Sequence, residues 1–315
     1  MRRLALILAI TLAIAHPALA HEVTARGPQN YHDLLTTWGL EPLSIIGLVL
    51  TAWLYTQGLS RIWKSAGRNH GIKTWEAACY ALGWFSLAIA LVSPLHPWGQ
   101  VLFTAHMTQH EILMLISAPL IVLGRPMVVF LRALPSSWAS NLAYLSNRSW
   151  WRATWQSISN PFSAWLIGAA ILWLWHVPAL FDATLRSDWV HALQHTSFLG
   201  SALLFWWAVI HVKDKTMGYG AAILYMFTTA LHSGLLGALL AFSRNVWYPS
   251  YQTTTQSWGL TPLQDQQLGG LIMWIPAGVV YIIAGLALAA GWIRDSEERA
   301  LQLDNQTRAL AQQSV

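Results

Sequence analysis

WGQVLFTAHMTQHEILMLISAPLIV, residues 98–122, is apolar along most of its length yet carries two histidines and a glutamate near its middle. A run of roughly 20 apolar residues is long enough to cross the hydrocarbon core of a membrane as a helix. Ionisable side chains are costly in that environment and usually serve binding or transport. We therefore predict a transmembrane helix here whose polar face, formed by His106 and His110, has a function.

Comparable runs recur through the chain, which is 55% hydrophobic and only 10% charged. A soluble domain carries about 25% charged residues, so this composition excludes an ordinary soluble protein. The fold class that we predict is all-α: a polytopic membrane helix bundle with seven transmembrane helices after a cleavable signal peptide. The predicted spans are residues 42–60, 75–93, 98–122, 161–180, 189–211, 219–243 and 265–293.

Residues 1–20 have the pattern of a signal peptide. A basic start precedes a short apolar run, and the run ends in Ala18-Leu19-Ala20, the small-x-small sequence typical of signal-peptidase sites. Cleavage after Ala20 would make His21 the first residue of the mature protein. An uncleaved first membrane anchor is the alternative that this pattern leaves open.

Basic residues concentrate in alternate segments between the predicted spans, as the positive-inside rule requires of cytoplasmic loops. This places residues 21–41 outside, the membrane domain at residues 42–293, and the tail, residues 294–315, in the cytoplasm. The predicted cytoplasmic segments contain Arg61, Lys64, Arg68, Lys73, Arg125, Arg132, Arg148, Arg152, Lys213, Lys215, Arg294, Arg299 and Arg308. The extracytoplasmic segments contain Arg26, Arg186 and Arg244.

The segment between the third and fourth spans, residues 136–158, is too polar to cross the membrane. Its aromatic and basic residues suit a helix lying on the cytoplasmic interface, and a loop with incidental aromatic residues is the alternative. The aromatic residues are Trp138, Trp150, Trp151 and Trp155. For the tail we predict either a short charged helix or disorder.

Charge and cysteine content exclude two classes of function. The net charge is +5, but the basic residues are too sparse to form the continuous phosphate-binding surface that nucleic acid needs. The chain has one cysteine, which excludes an intrachain disulfide and any site built from several thiolates.

The positions of the histidines carry the functional signal. His211 ends the fifth span on the cytoplasmic side, and the other six histidines within the spans all lie between the extracytoplasmic surface and the middle of the membrane. Two pairs are spaced i, i+4, which puts both rings of each pair on one helix face, one turn apart, where two nitrogens can bind one metal ion. Two further histidines lie alone at matching depth. We predict that the metal ligands are His106, His110, His176, His191, His195 and His232.

Three further residues are candidate metal ligands. Met114 lies one turn beyond His110, and Met273 lies in the seventh span. Imidazole suits copper, zinc, iron and nickel, and an added thioether favours Cu(I). His21, if it begins the mature chain, would chelate copper through its amine and its imidazole. We therefore predict that the metal is copper.

Several of these residues also have a purely structural interpretation. A lone intramembrane histidine such as His176 or His232 often forms a hydrogen bond between helices, and methionines commonly fill gaps in a core. Glu111 points away from the face of the first histidine pair, where it would orient another histidine, relay protons or bond a neighbouring helix. Asp265 opens the seventh span and is either a partner for a histidine or a helix cap.

Five stretches of the sequence resemble the integral-membrane cytochrome c oxidase assembly factor CtaG family, the kind associated with caa-type oxidases. They are HMTQHEILMLISAPLIVLGRP (106–126), LWLWHVPALFD (172–182), WVHALQH (189–195), LHSGLLGALL (231–240) and WGLTPLQDQQLGGLIMWIP (258–276). The resemblance implies a multi-pass protein of the bacterial plasma membrane, not an enzyme, that is needed for active cytochrome c oxidase and handles its copper. The implied partners are oxidase subunits, the lipid bilayer and extracytoplasmic copper chaperones.

The residues themselves leave other functions open. A membrane cytochrome or haem-handling factor would use histidines of facing helices as axial ligands, although two ligands on one helix face cannot bind opposite faces of a haem. A proton or ion transporter is disfavoured because the cytoplasmic halves of the spans contain almost no ionisable residues. A zinc hydrolase is disfavoured because HMTQH lacks the glutamate of the HExxH motif.

Overall fold

The computed structural model describes residues 38–39, 41–211 and 217–313, and these are almost entirely helical. The helices, in chain order, are α1 (Pro42–Ala66), α2 (Thr74–Val92), α3 (Leu95–Trp98), α4 (Phe103–Leu123), α5 (Pro126–Ala133), α6 (Ser136–Ser146), α7 (Ser149–Ser159), α8 (Pro161–Trp175), α9 (Pro178–Arg186), α10 (Asp188–Ile210), α11 (Tyr219–Ala241) and α12 (Pro262–Gln313).

Six of these helices, α1, α2, α4, α10, α11 and α12, are long and apolar enough to cross a membrane. A seventh candidate is the pair α7 and α8, which would cross as one broken span with a bend of 64°. The predicted all-α polytopic bundle is therefore confirmed for the part of the chain that the structure describes. The predicted signal peptide, residues 1–20, lies outside it.

The helix that begins at the predicted start of the fourth span, residues 161–180, ends before the predicted end. α8 ends at Trp175, and the separate helix α9 begins at Pro178. Proline disfavours the helical conformation in the residue before it, and Val177 is accordingly extended, with ψ at 124°. The chain turns here, so His176 lies at the end of α8 and not inside a continuous span.

The segment at residues 136–158 forms two helices, α6 and α7. The prediction that it is helical is therefore confirmed, and the alternative of a loop is wrong. Neither helix contains a buried residue, and Trp138 and Trp150 are more than half exposed. Their position at the membrane interface stays a prediction. α12 continues through the predicted tail to Gln313, so the tail is helical wherever it is described.

Asp265 fixes the start of α4. It lies in the first turn of α12, and its carboxylate accepts hydrogen bonds from the backbone amides of Phe103 at 2.6 Å and Thr104 at 3.0 Å. A carboxylate at a helix N-terminus satisfies amides that lack partners within the helix and complements the positive end of the helix dipole. Of the two interpretations of Asp265, the helix cap is confirmed, but the helix that it caps is α4 and not its own.

The middle of α4 departs from α-helical geometry. Residues Ile112–Ser117 form a π-helical segment between two α-helical ones. The Met114 carbonyl within this segment accepts a hydrogen bond from the Trp206 indole of α10 at 2.8 Å. One turn before the segment, the Gln109 amide donates to the Ala90 carbonyl of α2 at 2.7 Å. These two bonds hold α4 between α2 and α10.

The backbones of α11 and α12 approach closely at two glycines. A Cβ added to Gly270 would lie 2.5 Å from the Ala241 nitrogen and 2.7 Å from the Gly237 carbonyl oxygen. Real Cβ atoms essentially never come this close to backbone atoms. The crossing of the two helices therefore depends on the absence of a side chain at Gly270.

We expect Gly270→Ala to lower the free energy of unfolding by about 1–3 kcal/mol, because the added methyl group forces the two backbones apart. Thermal unfolding of the full chain in detergent measures the change. Gly278→Ala is the control, since a Cβ at this position of the same helix would have no atom within 4 Å. Equal destabilisation by the two substitutions would contradict the role of the crossing.

Candidate metal centre

Five histidines converge in the interior, between α3, α4 and α10. The ring centroids of His106 and His110 on α4 are 4.4 Å apart, and those of His191 and His195 on α10 are 4.1 Å apart. The two pairs face each other, with 5.5 Å between the His110 and His195 rings. His96 of α3 completes the cluster at 5.0 Å from His191. None of the five is more than 5% exposed, and together they are called the histidine cluster below.

The nitrogens of the histidine cluster form two groups of three that share His195. His96, His191 and His195 form one group, and His106, His110 and His195 form the other. Within each group the candidate ligand nitrogens all lie within 4.8 Å of one another. Around a tetrahedral ion with nitrogen bonds of 2.0–2.1 Å, the ligands lie roughly 3.4 Å apart. Small side-chain rotations would therefore let either group close around an ion.

A carboxylate lies at the edge of the first group. Glu41, immediately before α1, accepts a hydrogen bond from His96 Nε2 at 3.0 Å, and the same carboxylate oxygen lies 3.7 Å from His191 Nδ1. The Gln109 amide donates to His96 Nδ1 at 2.9 Å, which leaves the proton of the neutral ring on Nε2. These contacts orient the two imidazoles.

The same contacts keep Glu41 ionised. Burial raises the pKa of a carboxyl group, but the hydrogen bond from His96 and the nearby His191 ring prevail and hold the pKa of Glu41 well below its ordinary value. Glu41 therefore supplies one negative charge beside the histidine cluster, and this charge would lower the free energy needed to bury a cation there.

Several nitrogens of the cluster have no hydrogen-bond partner among the described residues. Both ring nitrogens of His110 and of His195 are in this state, and so is Nε2 of His191. A buried polar atom without a partner costs roughly 1–3 kcal/mol, and a metal ion would use the free lone pairs. A cluster of histidines held only by mutual hydrogen bonding would not leave these atoms free.

The connection between α11 and α12 covers the cluster with aromatic side chains. The Tyr251 hydroxyl donates to the Gly99 carbonyl at 2.6 Å, and that carbonyl also contacts His106 Nδ1 at 3.3 Å. The Tyr248 hydroxyl donates to the His176 carbonyl at 3.1 Å. Burial raises the pKa of both phenols, so they remain neutral donors. His195 also lines a cavity of about 380 Å³ beside α1, so one edge of the cluster adjoins open space.

His176 lies beside the histidine cluster but belongs to neither group of three. Its Nδ1 contacts the Leu172 carbonyl at 2.7 Å, and its Nε2 has no partner among the described residues. Its ring is 6.3 Å from Phe198, which also packs against His110 at 4.6 Å. His176 and the cluster therefore share a wall residue, and the role of His176 as a ligand stays a prediction.

Met114, Met273 and His232 line a cavity that none of the five clustered histidines lines. The expectation that Met114 continues the face of the first histidine pair assumes a rotation of 100° per residue. The π-helical segment Ile112–Ser117 changes that rotation directly after the pair, and Met114 lies in this segment. His21 falls outside the described residues.

Sequence reasoning did not include His96 and Glu41 among the site residues. His96 follows the second span in the stretch PLHPW, and Glu41 directly precedes the first span. Their positions at the ends of spans were a signal that each lies near the depth of the buried pairs. Their pairing joins residues 55 positions apart, and no local pattern predicts such a contact.

Comparison with known proteins identifies a family. The family profile described as cytochrome c oxidase caa3 assembly factor (Caa3_CtaG) matches residues 53–295. This range contains all five clustered histidines and the residues that line the cavity beside Met114, Met273 and His232.

Individual relatives are longer than this chain. An uncharacterized protein of Mycobacterium leprae is 25% identical over 294 residues, and an uncharacterized protein of Mycobacterium bovis is 26% identical over 291 residues. Each alignment covers 88% of this chain and 42% of the relative, so the chain spans less than half the length of the curated relatives that it matches. No solved structure matches the chain significantly.

We expect Glu41→Gln to lower the free energy of unfolding at pH 7 by about 1–3 kcal/mol, because the partly buried hydrogen bond from His96 loses its charged acceptor. A pKa that is lowered on folding means that the ionised group stabilises the folded state. That contribution is present above the ordinary pKa of 4.5 and is lost as the pH falls below it. Thermal unfolding in detergent measures the change, with the exposed Glu297→Gln as the control. Unchanged stability at pH 7 would contradict the conclusion that an ionised Glu41 stabilises the fold.

Proposed function

The chain belongs to the cytochrome c oxidase caa3 assembly factor family, and from this membership we propose that it binds copper in the histidine cluster and passes it to an oxidase subunit. In this role copper is cargo and the protein is not an enzyme. Two findings support the proposal: the family's role in oxidase assembly, and the ring nitrogens of the cluster that have no hydrogen-bond partner among the described residues.

The overlap of the two groups at His195 is the observation on which the proposal rests. An ion held by His96, His191 and His195 can exchange two ligands for His106 and His110 while it keeps the third. Imidazoles bind copper well in both oxidation states, and the described part of the site contains no thiolate that would hold it more tightly. Such a site favours transfer over storage.

The predicted orientation gives the transfer a direction. The positive-inside distribution of basic residues puts the histidine cluster in the extracytoplasmic half of the membrane domain. Copper would then enter from the outer compartment, where copper chaperones are the proposed donors, and leave to an oxidase subunit in the same plasma membrane. Glu41 and His96, at the edge of the cluster, would contact the incoming ion first.

Haem is the alternative cargo, and the geometry disfavours it. The centroid of each clustered ring lies 4.1 to 5.0 Å from that of its nearest neighbour in the cluster, which leaves no space for a macrocycle between the rings. A cavity of about 690 Å³ near Trp84, Phe130 and Trp155 is large enough for one, but no histidine is among the described residues that line it. An intense Soret band in the purified protein would support haem instead.

We expect His195→Ala to weaken copper binding by more than about tenfold, because both groups of three lose a ligand. Competition between the purified full chain and a Cu(I) chelator of known affinity measures the change. His70→Ala is the control, since His70 is exposed and lies outside the cluster. In cells whose only copy of the protein is His195→Ala, the oxidase should accumulate without its copper. Equal copper affinity of the wild-type protein and His195→Ala would remove the histidine cluster from the proposed function.

A further inference from the structure

A second cavity lies between α4, α8, α10, α11 and α12, one turn further along α4 than His110. Its volume is about 60 Å³. A buried water requires roughly 10–15 Å³, so the space fits an ion with a few waters and excludes an organic cofactor. Met114, Met273, His232 and Glu111 all line it.

Two polar groups of this cavity are buried without partners. Glu111 is 9% exposed, and its Oε2 has no hydrogen-bond partner among the described residues. His232 Nδ1 is also buried and has no partner among these residues. The His232 ring is perpendicular to the Trp165 indole, with 5.5 Å between the ring centroids. An ionised or polar group with no partner in a membrane interior is expensive, which indicates that something else satisfies these atoms.

Local structure positions the two thioethers. Met114 lies in the π-helical segment, where the Trp206 indole binds its carbonyl at 2.8 Å. Met273 is 4% exposed and lies on α12. The two methionines therefore line one small cavity from two different helices, together with an imidazole and a carboxylate.

We propose that this cavity is a second metal site, which binds Cu(I) through Met114, Met273 and His232 with Glu111 as the compensating charge. Thioether and imidazole ligands favour Cu(I) over harder divalent ions. Binding of a monovalent ion with release of the Glu111 proton leaves the site neutral overall, which lowers the cost of burying the ion. The inference rests on the proposed function in one respect, namely that copper arrives through the histidine cluster.

X-ray absorption of the full chain, loaded anaerobically with Cu(I) in detergent, tests the site. We expect sulfur neighbours around copper in the wild-type protein. In Met114→Leu/Met273→Leu we expect loss of these neighbours and of one bound Cu(I) per chain. Met226→Leu is the matched control, because Met226 is 1% exposed in the core but does not line the cavity. Sulfur neighbours that persist in the double variant, or are absent from the wild-type protein, would overturn the proposal.

A second measurement does not depend on how the double variant folds. Copper bound to the wild-type chain labelled with selenomethionine should show selenium neighbours, and their absence would overturn the site. His195→Ala, loaded in the same way, separates the two proposals. Sulfur-bound copper with fewer nitrogen-bound ions is the expected result. Unchanged nitrogen-bound copper in this variant, with sulfur-bound copper still present, would refute the histidine cluster and leave the second site standing.

Discussion

Burial of imidazoles where lipid offers no hydrogen bonds is the constraint on which this structure depends. Each ring nitrogen needs a partner from within the protein or from an ion, since an unpartnered one costs roughly 1–3 kcal/mol. Glu41 and Gln109 satisfy His96, whereas His110 and His195 have no such partners among the described residues. Hydrogen bonds of Gln109 and of the Met114 carbonyl hold α4 against α2 and α10. The rings themselves are not needed for these bonds, so their lone pairs are available to a metal ion.

α4 contributes residues to both the histidine cluster and the second cavity, and its geometry separates the two sites. The first, α-helical part presents His106 and His110 to the histidine cluster. The π-helical segment then changes the helical phase, and Met114 lines the second cavity together with Glu111. Asp265 caps the start of the same helix. A single helix anchored to α2, α10 and α12 therefore positions candidate ligands of two kinds within two turns.

The two sites have a common electrostatic plan. One carboxylate accompanies each: Glu41 lies beside the histidine cluster, and Glu111 lines the second cavity. In the two proposals a monovalent ion at either place would have one carboxylate beside it to offset its charge. In the two proposals the histidine cluster offers nitrogen ligands and the second cavity adds thioethers, so the second site would be the softer of the two.

Local sequence features were sufficient to predict the spans and the two histidine pairs, because hydropathy over 20 residues and i, i+4 spacing are properties of the chain near each residue. The break at Trp175 could also have been predicted from Pro178, which acts on its immediate neighbour. Only the tertiary structure decided that His96 and Glu41 join the cluster, and that Met114 and His232 line a second cavity. Those arrangements follow from how distant helices pack and from one π-helical segment, and neither leaves a periodic signal in the sequence.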